Sequence, residues 1–132
     1  MSPAATVAQA IAERARFFER AYAAADAASL VDGYFATDDH GPMALPPGAT
    51  PPVRGRKALK QMFAGMIPEM PVIRLETVEL VASDAVASET GRAFLTGKDG
   101  SQNIGRFVVC WIMTSEGWRA KTDFFAEDGW PD

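Results

Sequence analysis

The sequence predicts an α+β fold in which N-terminal helices pack on an antiparallel sheet built by the second half of the chain. Three observations carry this expectation. Apolar side chains recur at helical spacing from Val7 to Ala25. Alternating segments joined by short polar turns fill residues 72–127. Between the two regions lies a proline-rich break, Pro46-Pro-Gly-Ala-Thr-Pro-Pro52.

Val7, Ile11, Phe18, Tyr22 and Ala25 form one apolar stripe, widened by Phe17 and Ala21, and alanine favours the helix throughout. Ser2 before Pro3 is one start signal, and Thr6 with Gln9 resembles a capping box. Asp26 is placed to cap a short second helix through Leu30, with Gly33 marking its end. Met43–Leu45 reads as part of a short edge strand, because four prolines follow closely and each lacks a backbone donor. A third helix is expected from Arg56 to Met66, with Leu59, Met62, Phe63 and Met66 on one face. Pro68 and Pro71 stop it. Strands then follow at 72–82, 86–96, 104–114 and 118–127, joined at Ser83-Asp84, Gly97–Ser101 and Glu116-Gly117. Phe107, Val109, Trp111 and Met113 fall on one parity and Val108, Cys110 and Ile112 on the other. Helices cover only one face of such a sheet, so the second apolar face implies a partner. A homodimer through that outer face is expected.

At 132 residues the chain is expected to be a single domain, 1–132, large enough for its own core. With 13 basic and 17 acidic side chains and no basic block, nucleic acid is not an expected partner. Arg54, Arg56, Lys57 and Lys60 read as a solvated helix start. Cys110, the one cysteine, lies in the most apolar strand and reads as a small buried hydrophobe. Residues 1–15 carry Glu13 and Arg14 and lack an apolar signal core, and no run approaches the roughly 20 residues of a membrane span. The expectation is a reduced, cytoplasmic protein with no membrane partner.

The words Leu45-Pro-Pro-Gly48, Pro52-Val-Arg-Gly-Arg-Lys-Ala-Leu59, Glu89-Thr-Gly-Arg92, Gly97-Lys-Asp-Gly100, Gly105-Arg-Phe-Val-Val-Cys-Trp111 and Gly117-Trp-Arg-Ala-Lys-Thr-Asp-Phe-Phe125 occur in this order. Together with the order of elements, they make the chain resemble the SnoaL-like branch of the nuclear transport factor 2-like superfamily. The resemblance covers about residues 8–128. It implies a cone: a curved sheet wrapped around the helices, an apolar cavity open at one end, and a dimer through the outer sheet face. It also implies an acid in the cavity acting as proton acceptor. In cyclase-like members that acid sits on the last strand, where this chain has Asp123. In ketosteroid isomerases it comes from an early strand, where this chain has Asp38, Asp39 and His40. The run Asp38-Asp-His-Gly-Pro42 is longer than is usual in relatives, and Ala126 replaces a polar residue common there.

Asp123, between Thr122 and Phe124-Phe125, is the first candidate. An unpaired carboxylate in an apolar layer is costly. Asp123 is therefore either a general base raised toward neutral pH by a pocket, or a structural acid held by Arg92, Arg106 or a backbone donor. His40 is either a proton shuttle or an exposed loop residue. Tyr34 is the candidate donor to a substrate oxygen, whereas Tyr22, on the helix stripe, reads as core. Trp111, Phe94, Phe107, Phe125, Met43, Phe63 and Met66, with Met62, are candidates for lining a cavity, although the same spacings suit plain core. Arg92 and Arg106, in mid-strand, either grip a carboxylate ligand or pair Asp123 and Glu89. No metal site is expected from one histidine, one cysteine and adjacent acids. No phosphate loop or nucleophile elbow is present.

The expected ligand is a small apolar or amphipathic molecule. Two functions remain open: an isomerase, lyase or hydrolase using cofactor-free acid/base chemistry, or a non-catalytic ligand-binding or association domain.

Overall fold

The computed structural model describes residues 3–48 and 51–126, with side chains from residue 6 onward. Ser2, Glu127 and the middle of the proline loop, Ala49-Thr50, lie outside the described residues. The elements are α1 (Pro3–Ala23), α2 (Ala27–Tyr34), a 3-10 turn (Asp38–His40), β1 (Met43–Leu45), β2 (Val53–Arg54), α3 (Gly55–Met66), β3 (Val72–Ala82), β4 (Val86–Thr96), β5 (Gln102–Thr114) and β6 (Gly117–Ala126). They form an α+β architecture with one curved six-stranded sheet, in the order β2-β1-β6-β5-β4-β3. The last four strands are the antiparallel meander that alternation and turns predict. No described helix is long and apolar enough to cross a membrane.

The helices pack as their stripes require. Val7, Ile11, Phe18 and Tyr22 are buried, whereas Ala25 lies past the end of α1 in an exposed left-handed turn (φ 56°). Asp26 caps α2 by accepting the Ser29 N–H at 3.0 Å. The helix continues to Tyr34, so Gly33 does not end it. The Phe17 ring lies against Gly33, where an added Cβ would come within 2.4 Å of ring carbon Cζ. Glycine serves here for close approach.

Arg56 corrects the reading of a solvated helix start. Its guanidinium donates to the carbonyls of Phe35 (2.8 Å), Ala36 (3.1 Å) and Asp32 (3.2 Å), which bind the end of α2 to the start of α3. This clamp satisfies carbonyls that a helix end leaves without partners, and it holds Tyr34 in place. Lys60 pairs with Asp32 at 2.9 Å.

β1 is an inner strand and not an edge, lying antiparallel to β2 and parallel to β6. Prolines follow β1 without interrupting it, so both its backbone sides remain free to pair. At the opposite edge, Glu19 accepts the Leu75 N–H at 2.7 Å and Arg16 donates to the Leu75 carbonyl at 2.8 Å. Two α1 side chains thus occupy backbone positions on β3 that another strand would use.

The parity expected along β5 holds only in part. Phe107, Val109 and Trp111 are buried, but Met113 is 48% exposed. Cys110 is exposed as well, because it points opposite to Val109 and Trp111, across from Ser88 and Thr122. The outer sheet face carries Val86, Ile104, Val108 and Phe124, all exposed.

Candidate functional site

The concave face of the sheet and the three helices enclose a cavity of about 730 Å³. Phe18, Met62, Met66, Met70, Phe107 and Phe125 line its sides, and Pro46, Pro47, Gln102 and Asn103 also border it. Asp123 is in the lining and 8% exposed.

A local irregularity turns Asp123 inward. Trp118 and Ala120 are buried, so strict alternation would place residue 122 inside and 123 outside. The β5–β6 register steps from Trp111↔Ala120 to Cys110↔Thr122, which leaves Lys121 as an extra residue. This bulge resets the alternation and aims Asp123 at the cavity. Its neighbours across the strands are Val109 and Ala44, both buried.

Among the described residues, no donor reaches the Asp123 carboxyl by a hydrogen bond and no cation pairs with it. Burial raises its pKa from 3.8 to about 7, helped by the negative charge of Glu89. Arg92, one expected partner, instead binds Glu76 at 2.7 Å. Arg106 borders the cavity with an exposed side chain.

Tyr34 also reaches the cavity. Its ring stands edge-on to Phe18 (4.7 Å), Trp111 (5.0 Å) and Phe35 (5.3 Å). Burial, then Asp123 and Glu89, hold its hydroxyl well above the usual tyrosine pKa. It therefore stays protonated and able to donate.

The structure leaves other candidates elsewhere. His40 is exposed in the 3-10 turn, 3.9 Å from Asp39, and is not part of the cavity lining. Asp38 accepts the Arg56 N–H at 2.8 Å at the start of α3, and Asp39 accepts from Thr37. These acids serve the turn. Phe63 is core beneath the cavity, packed on Phe18 and Phe35. Phe94 lies under Arg74 and Arg92 and, like Met43, is outside the lining. Trp111 is 1% exposed and stands behind Tyr34. Among the described residues, no three histidine, cysteine, aspartate or glutamate side chains converge as a metal site.

Glu89 was not among the expected site residues. It is 2% exposed and accepts from the Trp111 indole at 3.0 Å and the Thr77 hydroxyl at 2.5 Å. Burial raises its pKa, and these two donors oppose the rise. Its inward parity with Ala87 and Gly91 was the available signal, but β4 offers little apolar contrast by which to read it.

No family model and no curated protein matches the chain. Solved structures do. A Streptomyces avermitilis protein named as a candidate dehydratase of the NTF2-like family aligns with a TM-score of 0.75 at 14% identity, covering 95% of this chain and 98% of its own. A ketosteroid isomerase-like protein from Erwinia carotovora atroseptica gives 0.71 at 19% identity, covering 90% and 94%. A Xanthomonas campestris protein named as a candidate calcium/calmodulin dependent protein kinase II association domain gives 0.69 at 15%, covering 92% and 87%. At such identities, likeness carries the fold alone. Helices held by a curved, unclosed sheet, together with the alignment of these structures over most of the chain, give it the nuclear transport factor 2-like, ketosteroid-isomerase-like cone fold.

Proposed function

We propose that this protein binds a small, largely apolar molecule in its cavity and acts on it by cofactor-free acid/base chemistry. Asp123 is the proton acceptor and Tyr34 donates to a substrate oxygen. The carrying observation is a carboxyl with no donor or cation among the described residues, buried but open to an apolar cavity. Such a group is basic near neutral pH and has its lone pairs free for a substrate proton. A neutral tyrosine hydroxyl in the same cavity can stabilise negative charge arising on a carbonyl oxygen. Proton abstraction beside a carbonyl, as in an isomerase or lyase, uses both groups. Activation of water for hydrolysis uses the first. With His40 outside the lining, Tyr34 is the polarising group this reading retains.

The test is deuterium exchange at the α-carbon of bicyclic ketones such as 2-tetralone, followed by NMR. The protein should accelerate exchange with a rise centred near pH 7, and Asp123→Asn should slow it at least about 100-fold. Equal rates for the two proteins, or no acceleration of any ketone shown to bind, would overturn the reading.

The second reading, a ligand-binding or association domain, draws on the outer face. Val108 and Phe124 are exposed cross-strand neighbours beside Thr90 and Thr122. With Leu75 on the β3 edge already occupied by Arg16 and Glu19, the face is the more open surface for a second copy. We expect twice the chain mass by light scattering, and a monomer on Val108→Lys with Phe124→Lys. A monomeric wild-type protein would remove the dimer proposal and leave the cavity chemistry standing.

A further inference from the structure

We infer that Glu89 is a positioning residue of this site, fixing the Trp111–Tyr34 wall and facing Asp123 with a second buried carboxyl. The inference rests on the reading of Asp123 as a base but assigns a residue that lies outside the cavity lining. Three adjacent strands place Glu89, Val109 and Asp123 in one cross-strand row, by the pairings Glu89↔Val109 and Val109↔Asp123. Residues paired in this way share a face. The two acids are therefore two strand spacings apart, about 10 Å between backbones, with only a buried valine in the row between them.

Their surroundings divide the roles. Each Glu89 oxygen accepts one donor, Oε1 from Trp111 and Oε2 from Thr77. An ionised carboxylate is suited to accepting at both oxygens. Asp123 has no donor among the described residues. Of the two acids, Glu89 is thus the better prepared to carry the first negative charge. Burial is the larger cause that keeps the proton on Asp123 toward neutral pH, and the Glu89 charge, in a poorly solvated layer, adds to it. Arg16 from α1 favours the ionised form of Glu89, and Glu89 in turn acts on Tyr34 from α2 and on Asp123 from β6. Neither Arg92 nor Arg106 pairs with either acid.

The mechanical role runs through the indole. Glu89 holds the Trp111 N–H, and Tyr34 stands edge-on against that ring. The Glu89 anchor fixes the indole plane, and with it the surface that orients the Tyr34 hydroxyl. A purely structural acid would affect stability without changing the titration of Asp123.

The test is Glu89→Gln, which keeps an acceptor for Trp111 and removes the charge. Carboxyl carbon NMR should show the Asp123 midpoint falling by about half to one pH unit, and the Trp111 indole proton should move upfield. Asp123→Asn should leave the Glu89 midpoint nearly unchanged, because Asp123 is still protonated while Glu89 ionises. If Glu89→Gln fails to fold, the wild-type titration decides, since Glu89 should ionise at lower pH than Asp123. An Asp123 midpoint moved by less than about 0.2 unit in Glu89→Gln, or Asp123 ionising before Glu89 in the wild type, would overturn the inference. A wild-type Asp123 midpoint near 4 would instead overturn the base assignment, so the two failures are distinguishable.

Discussion

Asp123→Asn is expected to stabilise the protein above neutral pH while removing its proton acceptor. The sign follows from the direction of the pKa change. Burial raises the folded-state pKa from the ordinary 3.8 to about 7. Well below pH 3.8 the carboxyl is protonated in both folded and unfolded chains, and burying it carries no charge penalty. Between those values the unfolded chain releases a proton that the folded chain retains, so stability falls as pH rises. Above about pH 7 the loss is complete. A change from 3.8 to about 7 corresponds to about 4 kcal/mol as an upper bound, and water entering the cavity reduces it. Asparagine has nearly the same shape and no proton to lose. The variant should gain at most about 1 kcal/mol near pH 4.5 and about 2–4 kcal/mol near pH 8, read from urea unfolding at the two pH values. A gain independent of pH would mean that Asp123 titrates normally, and the argument for a base would fail with it. A site that is destabilising when ionised yet free of neutralising partners is the pattern of stability yielded to activity.

The limits of sequence reading fall where long-range register decides. β3 and β4 were legible because their alternation is bounded by Ser83-Asp84 and by the Gly97–Ser101 turn, both local signals. The three residues of β1 contain no information about their neighbours, and their parallel pairing with β6 joins segments about 80 positions apart. Asp123 was conspicuous as an acid among aromatics, yet its direction depends on the extra residue at Lys121. Strict alternation from Trp118 would have turned it outward. Cys110 misled through its apolar neighbours: it belongs to the outward parity, whatever the character of the segment. His40 drew notice beside two acids, but Asp38 accepts a backbone N–H at the start of α3 and the turn stays in solvent. Glu89 was hidden most fully, because the row it shares with Val109 and Asp123 exists only after three strands have paired. The fold follows from periodicity and turns, whereas the site follows from one bulge and a register.

Trp111→Ala is expected to be among the most damaging single substitutions in the chain. The indole is 1% exposed, so its loss leaves a cavity behind the functional one, at about 3–5 kcal/mol. It also removes a donor from Glu89, whose desolvated carboxylate then retains only Thr77, at about 1–3 kcal/mol more. Loss of the edge-on contact to Tyr34 adds about 1 kcal/mol. Trp111→Phe separates the hydrogen bond from the bulk, keeping a ring for Tyr34 but leaving Glu89 without its indole partner. The Trp111 donor favours the ionised form of Glu89. Its removal should therefore raise the Glu89 pKa further, and the cost of Trp111→Phe should be larger near pH 8 than near pH 5. With Glu89 already replaced by glutamine, that pH dependence should largely disappear. The double-mutant cycle, measured by urea unfolding at both pH values, should give a coupling of about 1–2 kcal/mol at the higher pH and less at the lower. Strict additivity at both would show that the indole N–H and the carboxylate contribute independently, and that Trp111 acts only as packing.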